Sequence, residues 1–300
     1  MLASVILGIG QSSRIVDPFR QATGAVNIDW RFELPSRADL ADAVLVFGGD
    51  GTVHRHLDSL VRLGLPVLIV PAGSGNDFAR GLGLRRIHDS LRAWTRFCQR
   101  NDNVGRVDLG VIRPLADASA AETGKIAAGG SGKFFCTVAG AGLDAEVARR
   151  AAKLPRWLRR RGGYIFSLAA SLLRFAPARP VLIAASCGWT WRGHRPITLV
   201  ACANTSTYGG GMKIAPHASV NDGLLDICVI GSMHPLRLAW LFPRVYFGSH
   251  TNLPQVECLQ ATRLRVESET PQAVYADGEY VSTTPVEISL QPAALKIILP

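Results

Sequence analysis

Short apolar runs alternate with stretches of helical periodicity over the first hundred residues. Residues 4–9 (SVILGI), 43–47 (AVLVF) and 67–70 (VLIV) are unbroken runs of the length of a buried strand. Between the second and third, Val53, Leu57, Leu60 and Val61 recur at helical spacing until Gly64, which predicts a helix closed by a glycine. The third run ends at Pro71-Ala-Gly-Ser-Gly, after which Asn76-Asp77 supplies residues that cap a further helix. Strand, turn and helix in repetition predict parallel strands joined by crossover helices. Right-handed crossovers bring equivalent turns to one sheet edge, so Gly48-Gly-Asp-Gly-Thr52 and Pro71-Ala-Gly-Ser-Gly-Asn-Asp77 are expected side by side.

From Gly105 the pattern changes to period-two alternation, as in Arg263-Leu-Arg-Val-Glu-Ser and Val286-Glu-Ile-Ser-Leu, which suits half-buried antiparallel strands. Two domains are therefore expected, an α/β domain over 1–104 and a mostly β domain over 105–300. Residues 114–133, rich in Ala, Gly and Ser without periodicity, are expected to form an exposed loop.

An apolar content of 48% with 19% charged residues is that of a globular chain and excludes a disordered one. The six cysteines (98, 136, 187, 202, 228, 258) have no metal-ligand spacing and are expected as buried thiols of a reducing compartment. The opening run MLASVILGIG lacks a basic flank and a cleavage pattern, so a cytoplasmic location is expected. The apolar stretch 164–176 is too short to span a membrane. The formal charge of +10 is uneven: no Asp or Glu occurs between Val147 and Asn221, where twelve Arg or Lys do. Such a field attracts phosphates or anionic lipid headgroups.

The glycines of GGDGT let backbone N–H groups approach a ligand closely, with a helix N-terminus behind them, and phosphate is the natural ligand. Asp50 repels phosphate directly and is expected on Mg²⁺ or its water. The second turn adds the Ser74 hydroxyl, the Asn76 amide and the Asp77 carboxylate.

Other signals carry less. Gly140-Ala-Gly-Leu-Asp-Ala satisfies a dinucleotide fingerprint, but no acidic residue follows at the required distance. His54 and His56 are two apart, face different directions on a helix, and are expected at a solvated surface. No GxxxxGK[ST] occurs, which excludes a Walker-type ATPase. The segment 153–161 (KLPRWLRRR) combines cations with Trp157, a combination suited to an anionic membrane surface. No nucleic-acid-binding module is recognised, and nucleic acid is not expected as a partner.

GGDGT followed by PAGSGNDFAR resembles the diacylglycerol kinase catalytic domain of soluble bacterial lipid kinases, which share a superfamily with sphingosine kinases and NAD kinases. The resemblance continues through Val107-Asp-Leu-Gly, Ala139-Gly-Ala-Gly-Leu-Asp-Ala-Glu-Val, Asn204, Tyr208-Gly-Gly-Gly-Met-Lys-Ile-Ala-Pro, Asn221-Asp-Gly-Leu-Leu-Asp and Ala276-Asp-Gly-Glu. It implies a phosphofructokinase-like nucleotide domain, a β-sandwich domain after it, and an active site in the cleft between them. Gly48, Gly49, Asp50, Gly51 and Thr52, with Gly73, Ser74, Gly75, Asn76 and Asp77, would bind ATP, Asp50 and Asp77 also serving Mg²⁺. Asp277 would be the general base with Glu279 in support, and Asp222 with the Leu224 carbonyl would hold a second, structural Mg²⁺. Without the resemblance, Asp277-Gly278 reads as a hairpin turn. After the first strand the family carries an Asn-Pro-x-(Ser/Ala)-Gly turn, whereas this chain has Gly8-Ile-Gly-Gln-Ser-Ser.

The implied activity is ATP-dependent phosphorylation of a lipid hydroxyl by an enzyme peripherally associated with the inner membrane surface, with a homodimer left open. An NAD kinase-like enzyme and a catalytically lapsed membrane-binding homologue are the alternatives.

Overall fold

A computed structural model describes residues 1–24, 26–115, 132–143, 146–147, 180–192 and 196–300. The basic segment 153–161 and the apolar stretch 164–176 lie outside the described residues, as does most of the expected 114–133 loop. The chain divides into two compact units, Met1–Leu109 with Pro292–Pro300, and Gly110–Gln291.

In the first unit, β1 (Leu2–Leu7) pairs in parallel with β2 (Asp29–Arg31) on one side and with β3 (Ala43–Gly48) on the other. β3 continues in parallel to β4 (Val67–Pro71). Helices α1 (Asp17–Ala22), α2 (Asp50–Leu63), α3 (Asp77–Gly81) and α4 (Ile87–Arg100) accompany these strands. β3 and β4 are buried along their whole length, which is why they read as continuous apolar runs. α2 ends where left-handed Gly64 donates its N–H to the carbonyls of Leu60 and Val61. β1 begins and ends two residues before the expected 4–9, because Ile9 is an exposed turn residue rather than a strand residue.

The first unit is completed from the C-terminus. Ile297 lies in parallel register with Val67, and the Asn103 amide donates to the Leu299 carbonyl at 2.6 Å. No local pattern in the last residues announces this return, and an undivided 105–300 passes over it. At the start of β5 (Val104–Pro114), the buried Asp108 carboxylate accepts from the N–H of Ala293 at 2.7 Å, and Arg106 donates to the Ala293 carbonyl at 3.3 Å.

The second unit contributes β6 (Lys133–Phe135), β7 (Val138–Gly142), β8 (Pro180–Ala185), β9 (Thr190–Arg192), β10 (Ile197–Ala203), β11 (Leu225–Gly231), helix α5 (Pro235–Phe247), β12 (Val256–Ala261), β13 (Arg263–Ser268), β14 (Ala273–Ala276), β15 (Glu279–Thr283) and the first part of β16 (Val286–Ile298), whose residues from Pro292 on belong to the first unit. One sheet runs β12-β11-β10-β7-β14-β15 and is antiparallel throughout. It faces a sheet that includes β16, β13 and β8. Phe135, Leu264 and Ile288 on one side meet Ala141, Val200 and Ile227 on the other, which makes a β-sandwich. The outer face of the six-stranded sheet is also covered: Leu199, Ala201, Cys228 and Ile230 pack with Leu238, Leu241 and Val245 of α5. β10 is consequently buried at every residue instead of alternating.

Two expectations are corrected. His54 is 6% exposed on the inner face of α2 with Val53 and Leu57, so only His56 is near solvent. Partial burial, and then the charge of Arg55, push the His56 imidazole below its ordinary value. Cys136, Cys202 and Cys228 are buried as expected, the Cys202 thiol being pushed up to about 12 by burial. Cys187 and Cys258 are exposed, Cys258 because β12 is an edge strand.

Candidate active site

At the C-terminal ends of β3 and β4, register partners Gly48 and Pro71 launch the two glycine turns together, as the crossover argument expects. Their contact is backbone on backbone. A Cβ built at Gly49 would lie 2.4 Å from the Gly75 carbonyl oxygen, and one built at Gly73 would lie 2.4 Å from the Gly49 Cα. Neither position admits a side chain, so these two glycines serve the seating of one turn on the other. The Asp50 N–H donates to the Gly75 carbonyl at 3.2 Å and the Ala72 N–H to the Gly48 carbonyl at 3.1 Å. Gly51 differs: its Cβ would meet nothing within 4 Å, and the residue is exposed in the first turn of the 14-residue α2. An open backbone at the positive end of a helix is where an anion is best received.

Asp50 has a role that its own sequence neighbourhood does not announce. Its two carboxylate oxygens accept from the N–H groups of Asp77 and Phe78, each at 3.0 Å, so Asp50 caps α3 from the neighbouring turn. Asn76 occupies the N-cap position of α3 but does not cap it, contrary to the local reading. Its amide instead grips one residue of its own turn, accepting from Gly73 N–H at 3.0 Å and donating to the Gly73 carbonyl at 2.9 Å. The Asp77 carboxylate, 1% exposed, is ion-paired with Arg80. Ser74 is exposed at the tip. From the turn after β1, Gln11 donates to the Ala72 carbonyl at 2.6 Å, so Gly8-Ile-Gly-Gln joins the same cluster. Gln11 and Arg80 are thus further members of the site.

In the second unit, Asp277 and Gly278 form the two-residue turn between β14 and β15, both with positive φ (50° and 85°). Asp277-Gly278 is therefore a hairpin turn and also the seat of a carboxylate. Its oxygens accept from the N–H groups of Cys136 (2.9 Å) and Thr137 (2.8 Å), from the Cys136 thiol (3.4 Å), and from the Thr137 hydroxyl. Buried Asn204 backs this arrangement, its N–H donating to the Thr137 carbonyl at 2.8 Å and its amide to the Cys136 carbonyl at 3.2 Å. Glu279 is exposed at the start of β15. Cys136 and Thr137 escaped the sequence reading because their partner lies about 140 residues away, a pairing made only when β7 and β14 join.

Asp222 turns back on its own loop, accepting from the Leu224 N–H at 3.1 Å. Nearby Asp226 is pushed above the ordinary carboxylate value chiefly by burial, its contact with Gln260 opposing this and the charge of Asp222 adding to it. Among the described residues no group of three or more His, Cys, Asp or Glu gathers as a metal cage. The glycines 140 and 142 lie in antiparallel β7, which removes them from any dinucleotide-binding βαβ unit, and Asp144 lies outside the described residues.

Two family models match the chain. The diacylglycerol kinase catalytic domain matches residues 32–112, and the YegS C-terminal NAD kinase beta sandwich-like domain matches residues 137–299. A diacylglycerol kinase of Mycobacterium tuberculosis is 36% identical over 265 residues, covering 86% of this chain and 77% of its own. A crystal structure of a diacylglycerol kinase from Bacillus anthracis str. Sterne superposes with a TM-score of 0.66 at 20% identity, over 99% of this chain and 96% of that one. An NAD kinase from Archaeoglobus fulgidus, solved in complex with ATP, shares the fold more distantly, with a TM-score of 0.50 at 16% identity over 99% and 92% of the two chains. With an α/β catalytic domain, a β-sandwich domain and a relative of this identity, the chain belongs to the diacylglycerol kinase family of lipid kinases.

Proposed function

We propose that this kinase transfers the γ-phosphoryl group of ATP to the hydroxyl of a lipid, diacylglycerol or a related alcohol, giving a phosphatidate-like product. The observation that carries this reading is the seating of two glycine turns against the first turn of α2, which is a cradle for a polyphosphate. ATP as the donor is supported by the fold neighbour solved with ATP, and a lipid acceptor by the name of the mycobacterial relative. Gly51, Thr52 and Ser74 would meet the phosphates, and Gly48, Gly49, Gly73, Gly75 and Asn76 shape the two turns that present them.

Asp50 and Asp77 would hold Mg²⁺. Both would act through metal-bound water, since the two Asp50 oxygens already accept from the N–H groups of Asp77 and Phe78 and the Asp77 carboxylate is buried against Arg80. When bound, the ion would neutralise charge on the β- and γ-phosphates. A second, structural Mg²⁺ at Asp222 and the Leu224 carbonyl would be held by two protein donors and water.

Asp277 accepts the proton of the lipid hydroxyl. The freed oxygen bonds to the γ-phosphorus as its bond to the bridging oxygen breaks, and ADP leaves. The four donors from Cys136 and Thr137 fix both carboxylate oxygens, so the base is oriented before substrate arrives. Glu279, exposed at the start of β15, adds negative charge beside it. Radiolabelled ATP, Mg²⁺ and purified protein, incubated with total membrane lipid and separately with NAD, test the reading. Label in a phosphatidate-like lipid and none in the dinucleotide is expected, whereas label in the dinucleotide alone, or in neither, overturns it.

A further inference from the structure

The sequence of α5 (PLRLAWLFPRVYF) is apolar nearly all round, and among its described side chains those that pack inward lie along one side. Leu238, Leu241 and Val245 face the six-stranded sheet with Cys228, Ile230 and Val256. On the opposite stripe stand Arg237, Trp240, Pro243 and Phe247, at helical spacing and all exposed. Trp240 is 60% exposed and Phe247 79%, the two most exposed large hydrophobic side chains among the described residues. The Arg244 guanidinium lies over the Trp240 ring, 3.8 Å from its centroid. A surface helix ordinarily turns polar residues outward, so this stripe requires a partner that is apolar and accepts cations.

The surrounding charge narrows the partner. No Asp or Glu occurs from Ile227 to Val256, while Arg237 and Arg244 both lie on α5. A second copy is a poor occupant: a twofold contact through this face would set Arg237 and Arg244 against their own equivalents with no acid on either copy of α5. An anionic bilayer supplies both requirements, since tryptophan and phenylalanine favour the headgroup boundary and arginines are drawn to acidic lipids. At 13 residues α5 is too short to cross a hydrocarbon core but suited to lying in its surface, and no described helix is long and apolar enough to cross.

We propose that the outer face of α5, formed by Trp240 and Phe247 and flanked by Arg237 and Arg244, is the surface by which this protein docks on an anionic phospholipid bilayer. The choice of a bilayer over an acidic protein rests on the lipid-acceptor reading above. The Lys153-to-Arg161 segment lies outside the described residues and has no part in it.

Sedimentation of the full chain with phosphatidylcholine vesicles, with and without phosphatidylglycerol, tests the proposal. Three proteins are compared: wild type, Trp240→Ala/Phe247→Ala and Arg237→Gln/Arg244→Gln. Wild type should bind the anionic vesicles, and the arginine pair should weaken that binding by about tenfold or more. The aromatic pair should weaken binding to a similar degree. Thermal melts should be unchanged, because every altered side chain lies on the outer stripe, and phosphorylation of a monodisperse short-chain diacylglycerol should match wild type. Wild type remaining in the supernatant with anionic vesicles, or both variants binding within about twofold of wild type, overturns the proposal. A change of oligomeric state in the variants with vesicle binding intact also overturns it, in favour of a second copy. If no lipid is phosphorylated by wild type while the variants lose vesicle binding, docking stands and the lipid-kinase reading falls.

Discussion

The three glycines of Gly49, Gly51 and Gly73 look alike in sequence and do different work. A methyl group at Gly49 would strike the Gly75 carbonyl and one at Gly73 the Gly49 backbone, whereas Gly51 has open space. Gly49→Ala is accordingly expected to destabilise the first unit by about 1 to 3 kcal/mol, the usual cost of overpacking. Gly51→Ala is expected to stabilise it by up to about 1 kcal/mol, since alanine is the better helix residue, and yet to lower turnover by obstructing the phosphate cradle. Denaturant midpoints and initial rates on the two variants check both statements. A Gly51→Ala protein with wild-type turnover would remove that position from the cradle. The meeting of the two turns was legible in these glycines, but their division of labour was not. Which glycine is jammed depends on the other turn, 24 residues on, and the same is true of Asp50, whose hydrogen-bond partners Asp77 and Phe78 lie on that turn. His54 was misread for a related reason: helical spacing tells which residues share a face, not whether that face is covered.

Among the elements, strands 43–48 and 67–71 were readable because continuous apolar runs between glycine turns have few other meanings. The second-unit alternation at 263–268 was readable for the complementary reason, one face in and one face out. β10 and α5 were not read as a pair, because each is apolar on both sides of its pattern and nothing local says which layer covers which. The left-handed residue within β16 is a second such feature. Ala293 has a φ of 51°, a left-handed backbone that costs a non-glycine residue about 1 to 2 kcal/mol, and Asp108 and Arg106 hold it there. Ala293→Gly should therefore raise stability by about 0.5 to 1 kcal/mol in denaturant titration. His250, after α5, gives a pH signature. It is fully buried, donates from Nε2 to the Ile214 carbonyl at 3.0 Å, and burial pushes its imidazole below the ordinary value of 6.5. A folded-state value below the unfolded one means that the unfolded chain binds the proton more readily. Stability is then full above pH 6.5 and falls as pH drops below it. Comparing His250→Asn with wild type between pH 7.5 and 5.5 should show a shallower decline in the variant.

At the scale of the molecule, the order of domains followed from the change of period near residue 105, while the return of residues 292–300 to the first unit is made by β-pairing with Val67 and leaves no local trace. Ordered motifs from GGDGT to Ala276-Asp-Gly-Glu carried the family assignment, and the two matched domains, 32–112 and 137–299, bear it out. The donor seat around Asp277 was not legible, because its four donors come from Cys136 and Thr137 on a strand junction far back in the chain. The central claim is that Asp277 takes the proton of a lipid hydroxyl during transfer from ATP. Its most direct test is the rate of lipid phosphorylation by Asp277→Asn with Mg²⁺ and ATP, since asparagine tolerates the left-handed turn and keeps one oxygen for one of the two pairs of donors. A loss of about a hundredfold or more in turnover by a protein that still melts cooperatively is the predicted result, and undiminished turnover would contradict the account.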